Sequence, residues 1–130
     1  MAGAYFGNTS QSVEANGLLA YTLLVATPGN TVTTNGSSIM LVDAGIYKIS
    51  YHLNFVATTD NQNANVVMRR NGAVIASSNA LSFIAGTGQF ENIGTSIYVN
   101  ASAGDFITLT NNSGSTTTIT ELAITVEKLS

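Results

Sequence analysis

The sequence predicts an all-β domain, a sandwich or barrel of short strands, and three observations carry that expectation. The first is Gly45 to Phe55, GIYKISYHLNF, which alternates from Tyr47 onward. Tyr47, Ile49, Tyr51, Leu53 and Phe55 share one face, and Lys48, Ser50, His52 and Asn54 share the other. A strict period of two over this length marks a strand with one side in a core. The second is that strand-like runs recur at close intervals, joined by Asn, Gly and Ser turns, as in sandwiches and barrels. The third is that no segment shows a convincing helical pattern.

Taken in order, Ala4 to Gly7 is a short aromatic strand. Leu18 to Ala26, LLAYTLLVA, could be helical by composition, but Pro28-Gly29 ends it and no cap precedes it, so it reads as a strand or irregular edge. Thr31 to Thr34 and Ser38 to Val42 follow around the turn dipeptide Asn35-Gly36. Asp43-Ala44-Gly45 turns into the central strand, with Gly45 placed where a tight bend favours a residue without Cβ. Thr58 to Asn63 is a polar loop. Asn65 to Arg70 and Ala73 to Ser78 flank Asn71-Gly72, the strongest hairpin signal in the chain, since both residues tolerate the positive φ of a type I′ turn.

Leu81 to Ala85 runs to a bend at Gly86 and Gly88. Thr95 to Ala101 alternates again, with Ile97 and Val99 on one side and Ser96, Tyr98 and Asn100 on the other. Gly104-Asp105 leads into Phe106 to Asn111, and Asn112 to Ser115 is a loop. The final strand, Ile119 to Leu129, directs Leu122, Ile124 and Val126 inward and Ala123, Thr125 and Glu127 outward. With 130 residues and neither repeat nor linker, residues 1–130 are expected to form one domain. Met1, Ala2 and Gly3 read as the start of a piece cut from a longer protein.

Composition narrows the function. Only 8% of residues are charged but 45% are hydrophobic, which argues against disorder. A net charge of −3 gives no basic footprint, so no nucleic acid is expected as a partner. No apolar run approaches the ~20 residues that span a bilayer, and membrane insertion is not expected. The absence of cysteine removes disulfides and thiolate chemistry.

Catalytic, cofactor and metal residues are expected to be none. His52 is the one histidine, and a general base needs a positioned partner that the pattern does not supply. Asp43 and Asp105 sit beside glycine in turns, where Asp serves local hydrogen bonding. Thr58 to Asn63 holds a single carboxylate, too few for a calcium loop. Asn-x-Ser/Thr triplets at Asn8, Asn35, Asn100 and Asn111 are expected by chance in so Asn- and Thr-rich a chain. Arg69 and Arg70 fall on opposite faces of a strand, so one must reach from the strand end or pair with an acid.

With these segments placed, the chain resembles the tumour necrosis factor/C1q-like superfamily. The resemblance rests on G-x-Y-x-I-S-Y at Gly45 to Tyr51, the Asn71-Gly72 hairpin, the Gly104-Asp105 turn and the closing strand. It looks most like the C-terminal heads of bacterial collagen-like proteins, such as exosporium glycoproteins of spore-forming bacteria. There too a G-x-Y-K-I strand occurs, with an I-x-V-E-K type ending, here Ile124 to Lys128. The resemblance implies a jelly-roll sandwich assembled as a homotrimer. It further implies that Gly45–Phe55, Thr95–Ala101 and Ile119–Leu129 lie in the sheet nearest the threefold axis.

Tyr47, Ile49 and Tyr51 would then fall in the core. Lys48, Ser50, His52, Tyr98, Ala123, Thr125 and Glu127 would face neighbouring subunits. Two departures stand out: the axial positions carry short polar residues where vertebrate members carry aromatics, and no Gly-X-Y repeat is present.

The function expected on this basis is a non-enzymatic trimeric head that nucleates and locks the trimer of a collagen-like surface protein, outside the cell or on a spore. Self is the expected partner. Lys48 and Glu127 would pair within or between subunits, and His52 near its symmetry mates would make the trimer acid-sensitive through repulsion of like charges. The alternative is a recognition module that binds a host receptor or glycan through outer loops.

Overall fold

A computed structural model describes residues 2–29 and 32–130. Among these, the strands in chain order are β1 (Ala2–Val13), β2 (Thr22–Ala26), β3 (Val32–Thr34), β4 (Ile39–Leu41), β5 (Gly45–Val56), β6 (Gln62–Arg70), β7 (Ala73–Val74), β8 (Ala80–Ile84), β9 (Phe90–Ala101), β10 (Asp105–Asn111) and β11 (Thr117–Lys128). No helix occurs among the described residues. The expected strand at Thr31–Thr34 is present from Val32; Thr31 and Met1 lie outside the described residues.

Two antiparallel sheets face each other. One runs β2-β1-β11-β5-β9 and the other β3-β4-β10-β6, with β7 and β8 sharing the far edge of β6. Successive strands mostly cross between sheets, the wiring of a jelly roll. The alternation of β5 is realised in full: Tyr47, Ile49, Tyr51, Leu53 and Phe55 are buried, whereas His52 is exposed. Burying such a side chain contributes about 1.5–3 kcal/mol. Two of the tyrosines also bring a hydroxyl into the core, where it needs a partner. Tyr51 donates to the Ser78 carbonyl (2.8 Å) and lies 3.1 Å from that of Val66. It thereby ties the first sheet to the second. Tyr47 donates to the Asp43 carbonyl at 2.8 Å.

The Asn71-Gly72 turn forms as expected, with φ of +52° and +87°. The following strand is shorter than the sequence suggests. It stops at Val74, and Ser77 turns with φ +63° so that Ser78 enters the core. The Ser78 hydroxyl meets both the N–H and the carbonyl of Met68 at 3.0 Å, and that carbonyl also accepts the Ile75 N–H at 2.9 Å. Leu18 to Ala26 resolves into an irregular segment that buries Leu19 and Tyr21, followed by the exposed edge strand β2. Tyr21 packs edge-on against Phe6, with ring centroids 5.9 Å apart.

One local irregularity shapes β11. Both of its ladders skip Glu121, which has φ +52°. The bulge restores the inward phase, so Ile119 and Leu122 both reach the core despite their spacing of three.

Candidate functional site

The outward side of the five-stranded sheet is the surface that the sequence singles out. Its composition follows from register. Gly3, Glu127, Lys48 and Tyr98 form one row across β1, β11, β5 and β9. Tyr5, Thr125, Ser50 and Ser96 form the next, then Gly7, Ala123, His52 and Gly94, then Ser10, Thr120, Asn54 and Asn92. Pairing therefore brings all seven predicted residues, Lys48, Ser50, His52, Tyr98, Ala123, Thr125 and Glu127, onto one continuous face.

They differ in how much surface they offer. Tyr98 is 66% exposed, whereas Ala123 is only 7% exposed within its own chain. Lys48, Ser50, Thr125 and Glu127 are half-buried. Small polar side chains knit the middle of the face together. The Ser50 and Ser96 hydroxyls are 2.8 Å apart, and the Asn92 amide donates to Asn54 Oδ1 at 3.0 Å. Lys48 and Glu127 stand directly opposite each other, but among the described residues no ion pair closes between them.

The His52 row is the flattest. A Cβ on Gly94 would run into the Tyr51 carbonyl and come within 2.9 Å of His52 Cα, so no side chain fits where β9 passes β5. On the other side, Leu24 of β2 lies over Gly7, where a Cβ would meet its Cδ1 at 2.9 Å. His52 is thus flanked by Gly94, Ala123 and Gly7, with Leu24 at one rim and the exposed Phe90 and Tyr98 along the other.

Several of these residues escaped the sequence reading. Tyr5 was readable from the alternation in Ala4 to Gly7. Asn92 and Gly94 were not, because β9 begins five residues before the predicted Thr95 and glycine masks its pattern.

A second feature lies at the sheet edge. Phe83, Ile84, Ala85, Gly88, Gln89, Phe90 and Glu91 line an open groove of about 540 Å³ where β8 turns into β9. Phe83 is 56% and Phe90 61% exposed.

The other candidates are engaged in holding loops. Asp60 accepts hydrogen bonds from the Thr87 N–H and hydroxyl, both 2.9 Å, which keep its carboxyl below the usual range. Asp105 accepts from the Asn71 amide (2.9 Å), the Ser102 N–H (2.9 Å) and Arg70, and these, Asn71 foremost, hold its carboxyl low. Arg70 reaches Asp105 at 2.6 Å, while Arg69 donates to the Gly72 carbonyl. The acid partner expected for one of the two arginines is therefore Asp105. Among the described residues, no group of three or more His, Cys, Asp or Glu could hold a metal ion. No helix there is long and apolar enough to cross a membrane.

No known family profile and no curated protein matches the sequence. Solved structures do match the fold. An Eiger TNF from S. frugiperda superposes with a TM-score of 0.84 at 16% identity, over 98% of this chain and 92% of that one. The globular domain of zebrafish complement 1qA gives 0.73 at 6% identity, over 100% and 98%. Murine APRIL at pH 5.0 gives 0.72 at 13% identity, over 98% of both chains. The fold is thus the TNF/C1q-like jelly roll.

Proposed function

We propose that the chain is a non-enzymatic head domain that assembles as a homotrimer through the outward face of the β2-β1-β11-β5-β9 sheet. In doing so it nucleates and locks the trimer of a collagen-like surface protein of the spore exosporium type, and is displayed outside the cell. One observation carries the reading. Residues from three strands far apart in sequence share one flat face of small, mutually bonded side chains with Tyr5, Tyr98 and Phe90 beside them. A shallow polar face with aromatic margins suits close contact with another chain. Association about a threefold axis is heterologous, so the face meets a different patch of its neighbour. The axis would gather three copies of His52.

Light scattering tests this. A concentration-independent trimer that Ser50→Glu converts to a folded monomer is expected; a wild-type monomer overturns the reading.

The groove favours a second reading. Exposed Phe83 and Phe90 flank the 85–89 loop, and such aromatics suit binding of a glycan or receptor. Loss of glycan-array or pull-down signal on Phe83→Ala, with the oligomeric state unchanged, would favour it.

A further inference from the structure

The basic residues gather at one end of the sandwich. Lys48 and Lys128 lie in the half of the five-stranded sheet where Gly45 pairs with Ala101. Arg69 and Arg70 close β6 beside Asp105, which the 102–104 turn sets next to Ala101. These are all the lysines and arginines of the chain. Asp43, Asp105 and Glu127 accompany them and nearly balance their charge.

The opposite end carries acids without bases. Glu14 follows the last residue of β1, Asp60 lies in the loop between β5 and β6, and Glu91 pairs with Phe55 near the end of β5. Glu121, at the bulge of β11, belongs to the same half. The net charge of −3 therefore comes from this end.

The groove between β8 and β9 opens there. Phe83 and Phe90, both more than half exposed, line it together with Gln89 and Glu91. Gln89 Oε1 is turned to the Gly86 N–H (2.9 Å). Asp60 stands beside the same loop, bonded to the Thr87 N–H and hydroxyl. Aromatic faces carry partial negative charge, and the charged groups around these two are carboxylates. Rings and carboxylates thus attract one kind of ligand, a flat cation that stacks on the first and pairs with the second. A neutral glycan can use the rings but draws nothing from the net negative field, and an anionic one is repelled by it.

We propose that the groove seats a basic peptide segment of a partner protein, with an arginine guanidinium against the Phe83 and Phe90 rings and Glu91 as its counter-ion. This rests on the reading of the groove as a recognition site and names the chemistry recognised. The acidic end steers such a segment from a distance. Stacking and the charge-assisted bond to Glu91 hold it at close range.

The test is a calorimetric titration of the protein in its native oligomeric state with three probes: a capped peptide of alternating glycine and arginine, the same peptide with citrulline for arginine, and a neutral N-acetylglucosamine oligomer. The arginine peptide should bind, more weakly as salt is added. The citrulline peptide, which keeps the shape without the charge, should bind about fivefold more weakly. Phe83→Ala and Glu91→Gln, both at exposed positions, should each weaken the arginine peptide about two- to fivefold. Asp43→Asn removes an equal charge at the opposite end and should leave binding unchanged. Equal affinity for the arginine and citrulline peptides, or arginine binding indifferent to both groove variants, would overturn the assignment. Binding of the neutral oligomer alone, lost in Phe83→Ala, would also overturn it while keeping the groove as a recognition site. Binding of none of the three would remove both.

Discussion

The two sides of β5 are built from neighbouring residues and do different work. Tyr47, Ile49, Tyr51, Leu53 and Phe55 fill the sandwich, and Tyr51 spends its hydroxyl on carbonyls of the opposite sheet. Lys48, Ser50, His52 and Asn54 bond laterally, to residues at the same height on adjacent strands, or not at all. The inward side connects layers and decides whether the chain folds. The outward side bonds within itself, and changes there are expected to leave folding almost untouched. Surfaces of this kind are free to be specialised for association because the core makes no demand on them.

That contrast can be broken most forcefully at Tyr51. Tyr51→Ala should cost about 3–5 kcal/mol in urea unfolding, from the cavity and the lost link between sheets. Tyr51→Phe keeps the volume but strips the donor, and should cost about 1–3 kcal/mol. If either were neutral, the inward side would not be the structural one. On the outward side, Ser50→Glu should leave far-ultraviolet circular dichroism and monomer unfolding within about 0.5 kcal/mol of wild type. It should weaken association by several kcal/mol, read from light scattering across a dilution series, because it would crowd like charges in an assembly.

Acid provides a control located away from β5. The Asp105 carboxyl is held low by Asn71, Ser102 and Arg70. Its contribution is thus present above the unfolded value of ~3.9 and is lost as pH falls through the lower folded value. Asp105→Asn should flatten that acid limb of the melting temperature while leaving assembly near neutral pH unchanged. The smallest effect belongs to Lys48 and Glu127, which face each other across the ladder without closing an ion pair. A double-mutant cycle on monomer stability should give under about 1 kcal/mol of coupling. A larger coupling that appears only in the assembled state would place the pair at the contact.

The fold was legible to the extent that local pattern governs it. Alternation located β5 and the outward residues of β11, and the Asn71-Gly72 pair located a hairpin, because side-chain direction and turn chemistry are short-range properties. The pattern failed where a distant partner overrode it. Ser78 leaves the expected strand and bonds Met68 through its hydroxyl, and Glu121 is skipped where the β5–β11 ladder shifts register. Of the candidate face, the seven predicted residues were readable from their own strands. Tyr5 was readable from the alternation in Ala4 to Gly7, whereas Gly94 and Leu24 joined them only through register and close packing.

The sequence by itself determined that strands form, which side of each is apolar and where most turns fall, since these follow from period and from backbone freedom at single residues. Tertiary structure alone decided which strands lie side by side, and therefore which polar residues meet on one face and which asparagine amide is pinned. Those outcomes depend on hydrogen-bonded register between segments more than a hundred residues apart, as between β1 and β11, and no local property of either segment encodes the other.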